Sequence, residues 1–123
     1  MRCNRISMRL FLIFLMPVIM FASQPWSTQD KVLEGAFAAS LLADWSQTRD
    51  IANHNDLHET NPILGEHPGN GRINRYFLAS LALHAFVADR LDGKWRTAWQ
   101  CVWIGAEVGT VEHNYNLGLR FKF

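Results

Sequence analysis

The sequence predicts an all-α protein, a small bundle of three short apolar helices that follow an N-terminal hydrophobic signal or anchor helix. Two observations carry this prediction. Apolar residues make up 49% of the 123 residues and charged residues 19%, which is typical of a chain with one packed core. The apolar residues also form runs as long as helices, separated by dipeptides that favour turns.

The first run has the layout of a secretory signal, basic and then apolar. Three arginines precede thirteen residues that are apolar except for one proline: Arg2, Arg5 and Arg9, then residues 10–22 with Pro17. A spanning helix needs about 20 apolar residues, and this run is shorter. Residues 1–23 are therefore either a cleaved signal peptide or a retained membrane anchor, and residues 24–123 form a single helical domain.

The next segment begins with a helix-start motif. Ser27 offers a hydroxyl cap and Asp30 an acid three residues later, the pattern of a capping box. An apolar run then continues from Val32 to about Ile51. Residues 53–71 contain the turn dipeptides Asn-Pro, Pro-Gly and Asn-Gly, so we predict a long loop there, and loops of this length are often functional.

Two further helices and a tail complete the predicted domain. The second helix is expected from Arg72 to Leu91, closed by a glycine stop at Gly93, and the third from Trp95 to about Val111. Apolar and polar residues then alternate in residues 115–123, the period of a strand with one apolar face. This alternation predicts a short β-like tail that lies on the bundle or on a membrane surface.

Two patterns favour a lipid environment. Small residues recur at helix-packing spacing, as in Gly105-xxx-Gly109, and tryptophans lie near segment edges as in an aromatic belt: Trp26, Trp95 and Trp99. We therefore expect a small integral membrane protein with transmembrane helices in the bacterial cytoplasmic (inner) membrane, or alternatively a periplasmic or outer-membrane-associated protein. Its role would be accessory, its partners the lipid bilayer and either another membrane protein or itself. The net charge of +1 gives no case for nucleic acid.

Each predicted helix carries a polar stripe, and we call the three stripes together the polar seam. Their members recur every four or seven residues: Ser40, Asp44 and Thr48; Tyr76, Ser80 and His84; Gln100, Glu107 and Asn114. Because each stripe lies on one side of its helix, the three can converge on the bundle axis. There they would either hydrogen-bond and set the helix register or form a site with shifted pKa values.

A second interpretation belongs to another functional class. In an exported hydrolytic or metal-dependent enzyme, four ionisable residues would line a pocket: Asp44, Glu59, His84 and Glu107. His54 and His58 are four residues apart and His67 follows, but the acid does not stand where zinc proteases of the His-Glu-x-x-His type have it. We predict a solvated loop for these histidines, with no metal and no cofactor.

Several motifs resemble a group of small, uncharacterised membrane or exported proteins encoded by bacteria and their phages. The motifs are Asp44-Trp45…Thr48, Glu59-Thr-Asn61-Pro62-Ile63-Leu64-Gly65-x-x-Pro68, Asn74-x-Tyr76-Phe77, Trp95-x-x-x-Trp99 and Glu107…His113-Asn114-Tyr115. The resemblance covers roughly residues 40–120, and the loop with Glu59, Asn61 and Pro62 is its most specific part. The resemblance implies a defined fold, but it implies no activity, because none is assigned to the group.

Overall fold

The computed structural model describes residues 22–123, and in them the protein is an all-α bundle, as predicted. Helix α1 spans Thr28–Asp50, α2 spans Asn70–Arg90 and α3 spans Gly93–Asn116, with a one-turn 3₁₀ helix at Ile51–Asn53 after α1. The predicted signal or anchor of residues 1–23 lies outside the described residues apart from its last two positions.

The capping box at the start of α1 is confirmed. The Ser27 hydroxyl accepts a hydrogen bond from the Asp30 backbone N–H at 3.1 Å, and the Asp30 carboxylate accepts one from the Ser27 N–H at 2.8 Å. Two backbone donors that the helix itself cannot satisfy are thus paired. The helix accordingly begins at Thr28, four residues before the apolar run from which it was predicted.

The predicted glycine stop after the second helix is wrong. Leu91 ends α2, Asp92 has extended backbone angles as the N-cap of α3, and Gly93 is the first residue of α3. The Asp92 carbonyl accepts hydrogen bonds from the N–H groups of Trp95 and Arg96, both at 2.9 Å. Asp92 and Gly93 therefore start a helix, through the Asp92 backbone carbonyl and without a capping hydrogen bond from its side chain.

The predicted β-like tail is also wrong, since the described residues form no strand. Helix α3 continues through Tyr115 and ends in a turn where Gly118 takes a φ of +99°, a conformation that favours glycine. The chain after it is extended along α1 and bonds to side chains. The Arg120 N–H donates to the Asp50 carboxylate at 2.8 Å, and the Lys122 N–H donates to the Ser46 hydroxyl at 3.0 Å.

Helix α1 is the centre of the bundle, packed more extensively against α3 than against α2, whereas α2 and α3 hardly contact each other. The apolar core lies mainly between α1 and α2 and includes one residue of the loop. Its buried members are Phe37, Leu41, Leu64, Ile73 and Phe77. The bundle is therefore open on the side where α2 and α3 would otherwise meet.

A buried arginine holds the three helices together at the end of the bundle where α2 is connected to α3. Arg96 is 1% exposed, and its guanidinium forms an ion pair with the Asp30 carboxylate at 2.8 Å. It also donates to the backbone carbonyls of Ala88 at 2.7 Å, Pro25 at 2.8 Å and Gln24 at 3.0 Å. One side chain thereby holds the start of α1, the end of α2 and the start of α3 together.

The expected integral membrane protein of the inner membrane is contradicted. In the part of the chain that the structure describes, none of the helices combines the length and the apolar character that crossing a membrane requires. The predicted transmembrane helices fail because polar side chains, such as the fully buried Gln47 and Gln100, lie between the helices. Trp26 and Trp99 form no belt, since Trp26 stacks on the Arg96 guanidinium at 4.7 Å and Trp99 contacts the His84 ring.

We expect Arg96→Ala to lower the free energy of unfolding by about 3 to 5 kcal/mol, because it leaves the buried Asp30 carboxylate without its cation. Urea unfolding followed by circular dichroism measures the change. The matched control is Lys31→Ala, an exposed cation on α1, for which we expect a change below about 0.5 kcal/mol. Equal effects of the two substitutions would show that Arg96 is not the anchor.

Candidate functional site

A cleft of about 1030 Å³ lies on the open side of the bundle, between α2 and α3. Its floor is one side of α1, where Phe37, Leu41, Asp44 and Thr48 follow each other at helical spacing. Loop residues 59–64 close the end that is remote from Arg96. The cleft exists because α2 and α3 contact each other near their connecting turn, where Trp99 donates to the His84 carbonyl at 3.3 Å, and diverge beyond it.

The two walls carry most of the cleft's aromatic and polar side chains. Tyr76, Ser80 and His84 lie on α2, each one turn from the next, and Trp99, Trp103 and Glu107 recur on α3 at the same spacing. Residues four apart on a helix point in the same direction. The sequence thus places both rows on the sides of α2 and α3 that line the opening.

Two carboxyl groups meet on the floor of the cleft, Asp44 from α1 and Glu107 from α3, and we call them the acid pair. The two groups are close enough for Glu107, when it is protonated, to donate a hydrogen bond to the Asp44 carboxylate. Asp44 also accepts from the Asn114 amide at 2.9 Å and lies 3.5 Å from the Thr48 hydroxyl. Oε2 of Glu107 is buried and receives no hydrogen bond from an N–H or hydroxyl group of the described residues.

Burial and mutual repulsion make the acid pair hard to ionise. Burial, together with the negative charge of Glu59, raises the pKa of Asp44 to about 6. Burial, together with the neighbouring Asp44 charge, raises the pKa of Glu107 to about 7. Two carboxyl groups in hydrogen-bond contact titrate as a coupled unit, so near neutral pH the pair holds one shared proton.

The charge of the cleft is one-sided. Its lining includes the carboxyl groups of Asp44, Glu59 and Glu107, but it includes no lysine or arginine in the part of the chain that the structure describes. Tyr76 reaches into the same region, and the Ser80 hydroxyl donates to the Tyr76 backbone carbonyl at 2.9 Å. Burial raises the pKa of the Tyr76 hydroxyl, so this group stays neutral and can donate or accept a hydrogen bond.

His84 lies deeper, at the end of the cleft nearer to Arg96. Its ring is 3% exposed and is stacked on Phe37 at 3.6 Å between centroids, and its Nδ1 lies 2.8 Å from the Glu34 carboxylate. Gln100 donates to the other Glu34 oxygen at 3.0 Å. Burial acts to raise the pKa of Glu34, but the hydrogen bonds from His84 and Gln100 hold it below its ordinary value.

Most of the polar seam and the loop motif line this one cleft. The set comprises Asp44, Thr48, Glu59, Asn61, Pro62, Tyr76, Ser80, His84, Glu107 and Asn114. Two residues of the polar seam do not line the cleft. The Ser40 hydroxyl donates to the Phe37 carbonyl of its own helix, and Gln100 is buried against Glu34. The four residues of the enzyme interpretation, Asp44, Glu59, His84 and Glu107, are all in the set.

The sequence patterns do not predict the roles of Glu34 and Arg96. Glu34 binds His84 and Gln100 at the base of the cleft, and Arg96 is paired with Asp30 one turn earlier on α1. Glu34 is outside the stripe of Ser40, Asp44 and Thr48, and Arg96 has the sequence surroundings of a surface charge. The helical spacing could have predicted that Glu34 is partly buried. It lies three residues before Phe37 and seven before Leu41, on the side of α1 that carries both of these buried residues. An acid on a buried helix face needs a partner.

The loop histidines lie apart from one another and from the cleft lining. His54 is 3.3 Å from the Asp50 carboxylate, one turn earlier in the chain, and His58 and His67 are exposed. Within residues 22–123, no group of three or more histidine, cysteine, aspartate or glutamate side chains could hold a metal ion. The hydrogen bond to Asp50 gives His54 a structural role at the end of α1.

Comparison of the chain with protein-family models, with curated proteins and with solved structures found no match. The resemblance to small bacterial and phage proteins stays a prediction. The function must therefore be argued from the chemistry of the cleft.

We expect the acid pair to make the protein less stable as the pH rises from 5 to 8. The folded pKa values, about 6 and about 7, exceed the ordinary values of 3.8 and 4.5, so folding strengthens proton binding at these groups. This contribution is complete below the ordinary values and is lost as the pH rises through the folded ones. Thermal unfolding at several pH values measures it.

The matched variants for this prediction are Glu107→Gln and Glu66→Gln. Glutamine at position 107 keeps a hydrogen-bond donor for Asp44 but cannot ionise, so the loss of stability above pH 6 should be smaller than in the unmodified protein. Glu66 is exposed and outside the cleft lining, and its substitution should leave the pH profile unchanged. The same slope in all three proteins would contradict the shared proton.

Proposed function

We propose that the protein binds a small organic cation, an amine or quaternary ammonium compound with an apolar body, in the cleft between α2 and α3. The observation that carries this proposal is the placement of the carboxyl groups of Asp44, Glu59 and Glu107 around a cleft whose described lining has no lysine or arginine. A cleft with one sign of charge and low-dielectric walls concentrates ligands of the opposite sign.

The aromatic side chains support an organic cation rather than a hydrated metal ion. Trp99 and Trp103 lie on one wall, with their rings 5.4 Å apart, and Tyr76 and Phe77 lie on the other. Faces of aromatic rings attract ammonium groups by about 0.5 to 2 kcal/mol, and they bind an apolar body well. A cleft of about 1030 Å³ is large enough for a ligand of this kind.

The acid pair would link binding to pH. Near neutral pH the pair holds one proton, and a positively charged ligand next to Asp44 favours the fully ionised form. Binding would therefore release protons, and the buried Oε2 oxygen of Glu107, which receives no hydrogen bond from an N–H or hydroxyl group of the described residues, would accept a hydrogen bond from the ammonium group. Asn114, whose amide already donates to Asp44, would hold that carboxylate in position.

We expect phenethylammonium to bind more tightly at pH 8 than at pH 5.5, with a gain of up to about tenfold per pH unit for each proton released. Isothermal titration calorimetry in two buffers of different ionisation enthalpy measures both the affinity and the number of protons. The ligand of matched shape and opposite charge is phenylacetate, which should bind weakly at either pH because three carboxyl groups surround the site.

Substitution separates this proposal from general adhesion to an acidic surface. Glu107→Gln should weaken phenethylammonium binding at pH 8 and reduce the proton release, whereas Glu66→Gln, at an exposed position outside the cleft lining, should change neither. Equal binding of phenethylammonium and phenylacetate, or an affinity that does not change with pH, would refute the proposal.

A further inference from the structure

Helix α3 presents a continuous row of exposed residues, of which Gly105 and Gly109 also lie at the edge of the cleft. The face consists of six small or apolar residues between a lysine and a glutamate, all of them exposed: Lys94, Ala98, Cys101, Val102, Gly105, Val108, Gly109 and Glu112. Val102 is 68% exposed and Val108 is 52% exposed. Isolated apolar residues are common on protein surfaces, but a continuous apolar helix face indicates a contact.

The two charges stand in a specific relation to this face. Lys94 and Glu112 are eighteen residues apart, which is five full turns of an α-helix and about 27 Å along its axis. They are therefore on the same side of α3, one at each end of the apolar stretch. The face is positive at its start, uncharged along its middle and negative at its end.

A face with this charge pattern is complementary to itself in the antiparallel direction. We infer that α3 binds α3 of a second copy of this chain in the antiparallel direction. The twofold axis would pass level with position 103, midway between Lys94 and Glu112. In that arrangement Lys94 of each copy lies beside Glu112 of the partner subunit, so both ion pairs form at once, as a symmetric interface requires. A parallel pair would place lysine beside lysine and glutamate beside glutamate.

Side-chain sizes fit the same register. Setting Lys94 against Glu112 of the partner subunit places Ala98 against Val108 and Cys101 against Gly105, so each larger side chain meets a smaller one. The space above Gly105 and Gly109 is open, because a Cβ atom added at either position would meet nothing within 4 Å. Two helix backbones can approach closely over such positions, and the contact would cover Val102 and Val108. The inference does not rest on the proposed ligand, although the second helix would border the cleft at Gly105 and Gly109.

Sedimentation equilibrium of the full-length chain tests the inference, and we expect a dimer. Ala98→Arg should yield a monomer with an unchanged circular dichroism spectrum, because the position is exposed and outside the core. The matched control is Leu78→Arg, a large exposed side chain on α2, 55% exposed, which should leave the dimer intact. A monomer at every concentration of the unmodified chain would overturn the inference.

Charge exchange tests the antiparallel direction. Lys94→Glu alone and Glu112→Lys alone should each weaken the dimer by about tenfold, because each replaces two attractive pairs by two repulsive ones. The double variant Lys94→Glu with Glu112→Lys should restore the original affinity. Failure of this restoration, with both single variants weakened, would exclude the proposed arrangement.

Discussion

The buried ion pair between Arg96 and Asp30, 2.8 Å long, is the interaction on which the arrangement of the three helices depends. It joins residues 66 positions apart in the chain, and the same guanidinium binds the carbonyl of Ala88 near the end of α2. Because one end of the bundle is held in this way, α2 and α3 can diverge at the other end. The open cleft is a consequence of that anchoring.

The acid pair lowers the free energy of unfolding, and the groups around it make this destabilisation smaller. Placing Asp44 and Glu107 in contact costs desolvation energy and repulsion, which is why both pKa values are raised. Sharing one proton removes most of the repulsion, and the Asn114 amide satisfies one Asp44 oxygen. Neutral polar groups would cost less at this position, and ionisable groups with raised pKa values in a cleft are typical of functional sites.

Local patterns predict individual elements well and fail where different elements compete for the same residues. The capping box at Ser27 and Asp30 is predictable because all its atoms lie within four residues. The alternation of residues 115–123 predicts a strand wrongly, because the first two residues continue α3 and the rest bonds to Ser46 and Asp50 of α1. The membrane interpretation fails because small and aromatic residues suit an open helical bundle as well as a lipid-facing one.

Helical spacing in the sequence is sufficient to place Asp44 and Thr48 on one side of α1, and Ser80 and His84 on one side of α2. It does not fix how each helix rotates about its axis or slides along its neighbour. Those two variables are set by packing over the whole bundle and by long-range bonds such as Arg96 to Asp30 and Gln100 to Glu34. They bring Asp44 into contact with Glu107 and leave Gln100 beneath the cleft.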